Sequence, residues 1–218
     1  MDIDAEIDDL CAVHKGLDRH DEIDQVIIRG VLSFEASYKD LESIEDWFEI
    51  EVRIPNEYPD VLPEVVELQG KVVSNYEHLN SDGTFCLAVP IAEQLAFKKE
   101  PTLLGFVNNL VVNYLYSYCY WRQHREYPFD DSPHGLEGFV DYYEKLFETE
   151  LSPELFSGIE RIIKHGYRGH HPCPCGSGKI VRKCHKQVVM DLAQEQIRRQ
   201  LSCEIEVIKD AVLSARRS

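Results

Sequence analysis

The chain has 218 residues, 44% of them hydrophobic and 28% charged. That composition excludes global disorder and fits one domain with an appendage or two small ones. The net charge of −16 is unevenly placed: residues 166–218 carry 10 Lys+Arg against 5 Asp+Glu, and residues 1–165 carry 13 against 34.

The break in charge predicts a domain boundary near residue 165, giving a body over 1–165 and a module over 166–218. An acidic body argues against broad nucleic-acid binding, which needs a basic face. No window of roughly 18 residues lacks a polar break, so no membrane span is expected. Even the apolar stretch 102–121 is interrupted by Asn108, Asn109, Asn113 and Ser117. The start, Met1-Asp2-Ile3-Asp4, is acidic and has no signal-peptide core, which predicts a cytoplasmic protein.

In chain order, Ile3, Ile7, Leu10, Cys11 and Leu17 recur at helical spacing and predict an amphipathic helix over 3–17. Residues 25–37 are rich in β-branched side chains and predict a strand. Over 47–54, Phe48, Ile50, Val52 and Ile54 alternate with Glu49, Glu51 and Arg53, the pattern of a half-buried antiparallel strand. Pro55 and Pro59 make a loop of 55–59, and 63–68 reads as another short strand. Residues 69–100 hold no sustained period and read as an irregular, functional segment. Helices are predicted at about 101–122, at 135–150, and at 152–165 from the Ser152-Pro153-Glu154 start. A long helix is predicted over 186–216. There Leu201, Ile205, Ile208 and Val212 form a seam that either packs within the chain or pairs with a second copy. The predicted fold class is α+β.

Seven cysteines, an odd number with no signal peptide, argue against a disulfide scaffold. Three of them lie in the run Cys173-Pro174-Cys175-Gly176-Ser177-Gly178-Lys179-Ile180-Val181-Arg182-Lys183-Cys184-His185. Cys173, Cys175, Cys184 and His185 supply the three thiolates and one imidazole of a tetrahedral structural zinc site. The ligand set is closed, so a catalytic metal is not expected, and so short a segment would draw much of its folding energy from the metal. His170 and His171 are nearby competitors of His185. The run is similar to the SEC-C zinc motif, known at the tail of the preprotein translocase ATPase, and the resemblance implies a docking knob. Lys179, Arg182, Lys183 and Lys186 make that knob basic; an acidic partner, nucleic acid or a plain solvated face all fit them, the solvated face best.

A second constellation precedes it. Tyr58-Pro59-Asp60-Val61-Leu62-Pro63 is followed by His78-Leu79-Asn80-Ser81-Asp82-Gly83-Thr84-Phe85-Cys86-Leu87. Turn, spaced proline and His…Asn…Gly…Cys-Leu segment occur in the order found in the ubiquitin-conjugating enzyme family, which residues 1–150 resemble. Leu79 stands where the eukaryotic members have proline, and Asn80 lies only six positions before Cys86. This short loop, with Pro128-Phe129-Asp130-Asp131-Ser132-Pro133-His134-Gly135, resembles the divergent prokaryotic branch found in bacterial defence operons. The resemblance implies a helix, a strand meander, an irregular active-site segment and C-terminal helices. It also implies a transferase in which Cys86 takes the C-terminus of a ubiquitin-like or other protein as a thioester and passes it to an amine. In that chemistry Asn80 is a candidate oxyanion donor, and His78 and His134 are candidates for orienting the loop or handling a proton. The chain has no nucleotide-binding glycine loop and does not end in glycine, which predicts a carrier rather than an activating enzyme or a modifier, loaded by a separate activating enzyme or by an unusual direct route.

The residues alone allow plainer roles. Cys86 also fits a packing cysteine, Asn80 an Asx turn, His78 a loop-fixing hydrogen bonder and His134 a helix cap. At the level of the whole chain, the alternatives are a non-catalytic binding module of the same fold and a docking protein that works through its zinc tail.

Overall fold

The alternation of Phe48, Ile50, Val52 and Ile54 becomes the buried face of a four-stranded antiparallel sheet. The structure, a computed structural model, describes residues 2–22, 25–129 and 135–215. The strands lie in sequence order: β1 (Leu17–Asp21), β2 (Val26–Ala36), β3 (Ile44–Ile54) and β4 (Glu64–Glu67). β2 and β3 pair along their full length, from Val26↔Ile54 to Ala36↔Ile44. The protein is thus α+β, with several helices beside one antiparallel sheet.

The chain forms two compact units, Met1–Ala88 with Ala96–Asp131 and Val89–Leu95 with Ser132–Ser218. In the first unit, Leu32, Phe34, Phe48, Ile50 and Val52 bury one sheet face. The helix α4 (Val112–His124) covers it, with Tyr118 edge-on to Phe48 at 6.0 Å between centroids. On the other face Glu51 lies between Arg29 and Arg53. Burial would raise that carboxyl, but the two guanidinium groups outweigh it and hold it below the usual range.

Helix α1 (Ile3–Val13) is capped by Asp2, whose carboxylate accepts from the Ala5 N–H. It stops at Val13 rather than 17, because Leu17 begins β1. That strand, Leu-Asp-Arg-His-Asp, has one apolar residue and so no alternation to read; pairing with β2 makes it a strand. Glu6 is buried and accepts from the Tyr58 hydroxyl and the Leu103 N–H, each at 2.8 Å. It thereby ties α1 to the Tyr58-Pro59 turn and to the start of α3 (Leu103–Phe106). The helix expected over 101–122 runs from Leu103 to His124, through α3, a π-helical turn at Val107–Val111 and α4.

The second unit is helical. Residues of α2 (Pro90–Phe97) pack with α5 (Gly135–Phe147), α6 (Pro153–His165), α7 (Lys186–Leu192) and α8 (Glu195–Ala215). Helix α2 corrects the reading of 69–100 as wholly irregular; eight residues are too few to establish a period. The units do not divide at the charge break near 165. α5 and α6 belong to the acidic part of the sequence, yet Tyr143, Phe147, Leu155 and Ile159 share a core with Leu201 and Ile205 of α8. Charge describes the surface, whereas units are set by shared apolar stripes.

The 186–216 helix is two helices, broken at Ala193-Gln194. Leu201, Ile205 and Ile208 are buried in the core of the unit, and the Val212 side chain lies outside the described residues. Among the described residues, no helix is long and apolar enough to cross a membrane.

Candidate functional site

Beyond β4 the chain folds back on itself around Cys86. Asn80 N–H donates to Thr84 O and Gly83 N–H to Asn80 O, each at 2.9 Å, closing a tight turn. Gly83 takes φ +85°, a conformation that favours glycine. Below the turn, Leu79 bridges Phe85 and Cys86 N–H donates to His78 O at 2.9 Å. Phe85 N–H donates to Val65 O at 2.8 Å, and Thr84 bridges Val66, which fastens the segment to β4. Phe85 is buried and its ring lies flat on Tyr114, 4.2 Å between centroids. The next residue, Cys86, is half-buried.

Side chains complete the turn. The Asp82 carboxylate accepts from the Thr84 hydroxyl at 2.7 Å and from the Thr84 N–H at 3.0 Å, which lowers its pKa. The Asn80 amide donates to the Thr84 hydroxyl oxygen at 3.0 Å. Asn80 therefore shapes the turn, the Asx-type role, and its side chain is exposed. The His78 ring packs beside Tyr76 and Tyr127, at 5.4 and 5.2 Å. His134 lies outside the described residues.

Sequence reasoning missed the aromatic wall here: Tyr76, Tyr114, Tyr118, Trp121 and Tyr127. Tyrosine recurs at 114, 116, 118 and 120, a pattern that signalled only an apolar helix. Of the other two cysteines of this unit, Cys11 is half-buried like Cys86 and Cys119 is not. Cys119 is fully buried, and burial together with Asp46 pushes its thiol up to about 12. Burial and the charges of Asp18 and Asp8 also raise Cys11.

In the second unit a different site assembles. Pro172 bridges Ile180, and Cys173 N–H donates to Lys179 O at 2.9 Å, so 172–180 forms a small hairpin. Gly176 (φ +70°) and Gly178 (φ +73°) turn it. A 3-10 turn at Val181–Lys183 leads to Cys184 and His185, directly before α7. Cys173, Cys175, Cys184 and His185 bring their ligand atoms within 4.8 Å of one another. His185 Nδ1 is 3.3 Å from Cys173 Sγ and 3.4 Å from Cys184 Sγ, and Cys175 Sγ is 3.5 Å from Cys184 Sγ. A tetrahedral zinc with Zn–S near 2.3 Å would set ligand separations of about 3.5–3.8 Å. The cluster could hold a metal ion, and its soft donor set and spacing suit zinc.

Burial pushes the Cys173 thiol up. Burial acts in the same sense on Cys175, but hydrogen bonding with Ser177 outweighs it and brings that thiol down. The helices seat the site. Phe147 of α5 meets the His185 ring edge-on at 5.6 Å. Gly158 of α6 lies so close to Pro174 that an added Cβ would fall 2.5 Å from it. His170 and His171 are not part of the cluster.

No protein family, curated protein or solved structure matches this chain.

Proposed function

We propose that the first unit is a ubiquitin-conjugating-like acyl carrier with Cys86 as its nucleophile. The observation that carries this reading is the presentation of Cys86. Its backbone is pinned by hydrogen bonds to His78 and, through Phe85, to β4, while its thiol sits half-buried. The neighbouring Cys119 is buried and hard to ionise. The order of Tyr-Pro turn, His78, Asn80, Gly83 and Cys86-Leu87 supplies the family analogy.

In the proposed reaction the Cys86 thiolate attacks the carbonyl carbon of a thioester presented by a separate activating enzyme. A carbon–sulfur bond to Cys86 forms, and the donor's thiolate leaves. A neutral amine of the acceptor then attacks, its nitrogen bonds the carbonyl carbon, and Cys86 leaves as a thiolate while the amine proton passes to solvent. Asn80 is proposed as oxyanion donor once its amide turns from Thr84, at the cost of the contact that shapes the turn. His78 is proposed to fix the loop through its backbone carbonyl.

The four ligands of the second unit are proposed to hold zinc in a structural role. No Asp or Glu occurs from Arg161 to Met190, and Lys179, Arg182, Lys183 and Lys186 are exposed. We propose that this face docks an acidic protein partner.

The test offers the full chain a panel of ubiquitin-like proteins carrying C-terminal thioesters, read on non-reducing gels. The expected result is an adduct that thiol removes and that Cys86→Ala abolishes. Adducts that persist in Cys86→Ala, or none across a panel that loads a control conjugating enzyme, overturn the reading in favour of a binding module.

A further inference from the structure

We propose that the second unit carries an oxyanion site, a cleft that takes a single phosphate group between Arg161 and Arg168. It is separate from Cys86 and from the four metal ligands, and it does not rest on the acyl-carrier reading.

The cleft lies where the end of α6 and the chain after it meet the hairpin of 172–180 and α7. Ile162, Pro174, Val181 and Val189 form an apolar wall, and Arg161, Arg168 and His171 supply the polar groups. It measures about 230 Å³ with its open mouth included, but its enclosed part has room for little more than one water molecule. That size excludes a bulky ligand held inside. It suits a small anion, or the anionic end of a larger molecule, seated at the mouth.

The two guanidinium groups have no counter-charge. No Asp or Glu occurs from Arg161 to Met190. The acids on either side are engaged elsewhere: Glu160 pairs with Lys209, and Asp191 accepts from the Gln187 amide. Among the described residues neither Arg161 nor Arg168 forms an ion pair, whereas Lys145 of the same unit is held by Asp141. The C-terminal end of α6 favours cations, which accounts for Lys164 and His165. It does not account for Arg168 and His171, which lie beyond the helix. His171 N–H donates to Arg168 O at 3.0 Å, Val181 N–H to His171 O at 2.9 Å and Arg182 N–H to Gly169 O at 3.0 Å. The backbone thus fixes where these side chains start, and a low-dielectric wall behind them strengthens their pull on an anion.

A third guanidinium stands behind the cleft. Gly166 lines it, and a Cβ on that glycine would lie 3.9 Å from Arg198 Nη1. The Arg198 Nε is buried with no hydrogen-bond partner among the described residues. A buried cationic donor with no acid nearby adds to the positive field of the cleft and has no structural partner to explain it.

The number of donors selects the anion. One guanidinium fork saturates a carboxylate, whereas a phosphate carries three terminal oxygens and a charge of about −2 near neutral pH. Two guanidinium groups and an imidazole N–H match the phosphate. Its source is either the free ion or the phosphate end of a small ester.

The test is equilibrium dialysis of the full zinc-loaded chain against radiolabelled inorganic phosphate, at an ionic strength held constant with chloride. One phosphate per chain is expected, bound about tenfold more weakly by Arg161→Gln or Arg168→Ser. Lys164→Gln removes the same charge from α6 outside the cleft and is expected to weaken binding by less than about twofold. Zinc content and far-UV circular dichroism report whether each variant is folded. Should Arg161→Gln unfold the unit, Arg168→Ser decides alone, since Arg168 is exposed. Competition with unlabelled glycerol 3-phosphate separates the sources: an ester that displaces the label better than phosphate does assigns the site to a phosphate end group, and a poorer one assigns it to the free ion. The proposal is overturned by an absence of saturable phosphate binding, by equal weakening in Lys164→Gln and Arg168→Ser, or by acetate that displaces the label as well as phosphate does.

Discussion

Glu204 offers a direct test of how the second unit is held together. It is 2% exposed in α8 and carries a carboxylate into an apolar core. Three donors meet it: Ile91 N–H at 2.6 Å, the Tyr143 hydroxyl at 2.7 Å and the Gln200 amide at 3.1 Å. Burial raises its pKa, and the three hydrogen bonds oppose that without cancelling it. A raised acid binds its proton more tightly folded than unfolded. Its stabilising effect is complete below the ordinary carboxylate value and is lost as pH rises through the folded value. Glu204→Gln can accept from Ile91 N–H and donate to the Tyr143 oxygen, so it keeps the contacts and removes the titration.

Glu204→Ala instead strands the Ile91 N–H and Tyr143 hydroxyl, each at about 1–3 kcal/mol, and leaves a small cavity. A loss of about 3–6 kcal/mol is expected, a large share of the typical 5–15 kcal/mol of a domain. The assay is urea unfolding followed by far-UV circular dichroism, with amide exchange at Ile91 as the local readout. Both tryptophans, Trp47 and Trp121, belong to the first unit, so fluorescence would report the other half of the chain. A loss under about 1 kcal/mol for Glu204→Ala would refute the reasoning. So would a Glu204→Gln variant that declines with pH as the wild type does.

Elemental analysis after chelator-free purification should find one zinc per chain, and Cys184→Ser should abolish it while leaving tryptophan fluorescence intact. Ending the chain at residue 165 should leave 132–165 unfolded, because it uncovers Tyr143, Phe147, Leu155, Ile159 and Ile162, worth about 1.5–3 kcal/mol each; protease-resistant α5 and α6 in that truncation would contradict this. Gly158→Val should weaken zinc retention against a competing chelator, since its side chain must displace Pro174, at about 1–3 kcal/mol. Under native alkylation Cys203, which is exposed, should react quickly and Cys119 slowly; rapid labelling of Cys119 would show that α4 opens readily.

The sequence by itself determined what repeats at short range. The alternation of 48–54 located β3, the β-branched run located β2, and the Ser152-Pro153 start located α6, whose Ser152 hydroxyl accepts from Leu155 N–H at 3.2 Å. The metal cluster was legible because its four ligands fall within thirteen residues, a span a hairpin closes locally. What depends on distant partners was not legible. β1 is a strand because β2 pairs with it, since its own residues carry almost no apolar pattern. The division into units was decided by the core that α5 and α6 share with α8, to which the charge profile is blind. Glu204 reads as one more acid on a helix until the fold brings Ile91, 113 residues away, to its oxygen. Tyr114 likewise reads as an apolar helix residue; only the tertiary structure sets its ring on Phe85 and buries its hydroxyl beside the cysteine segment, because that contact joins α4 to a loop nearly thirty residues earlier.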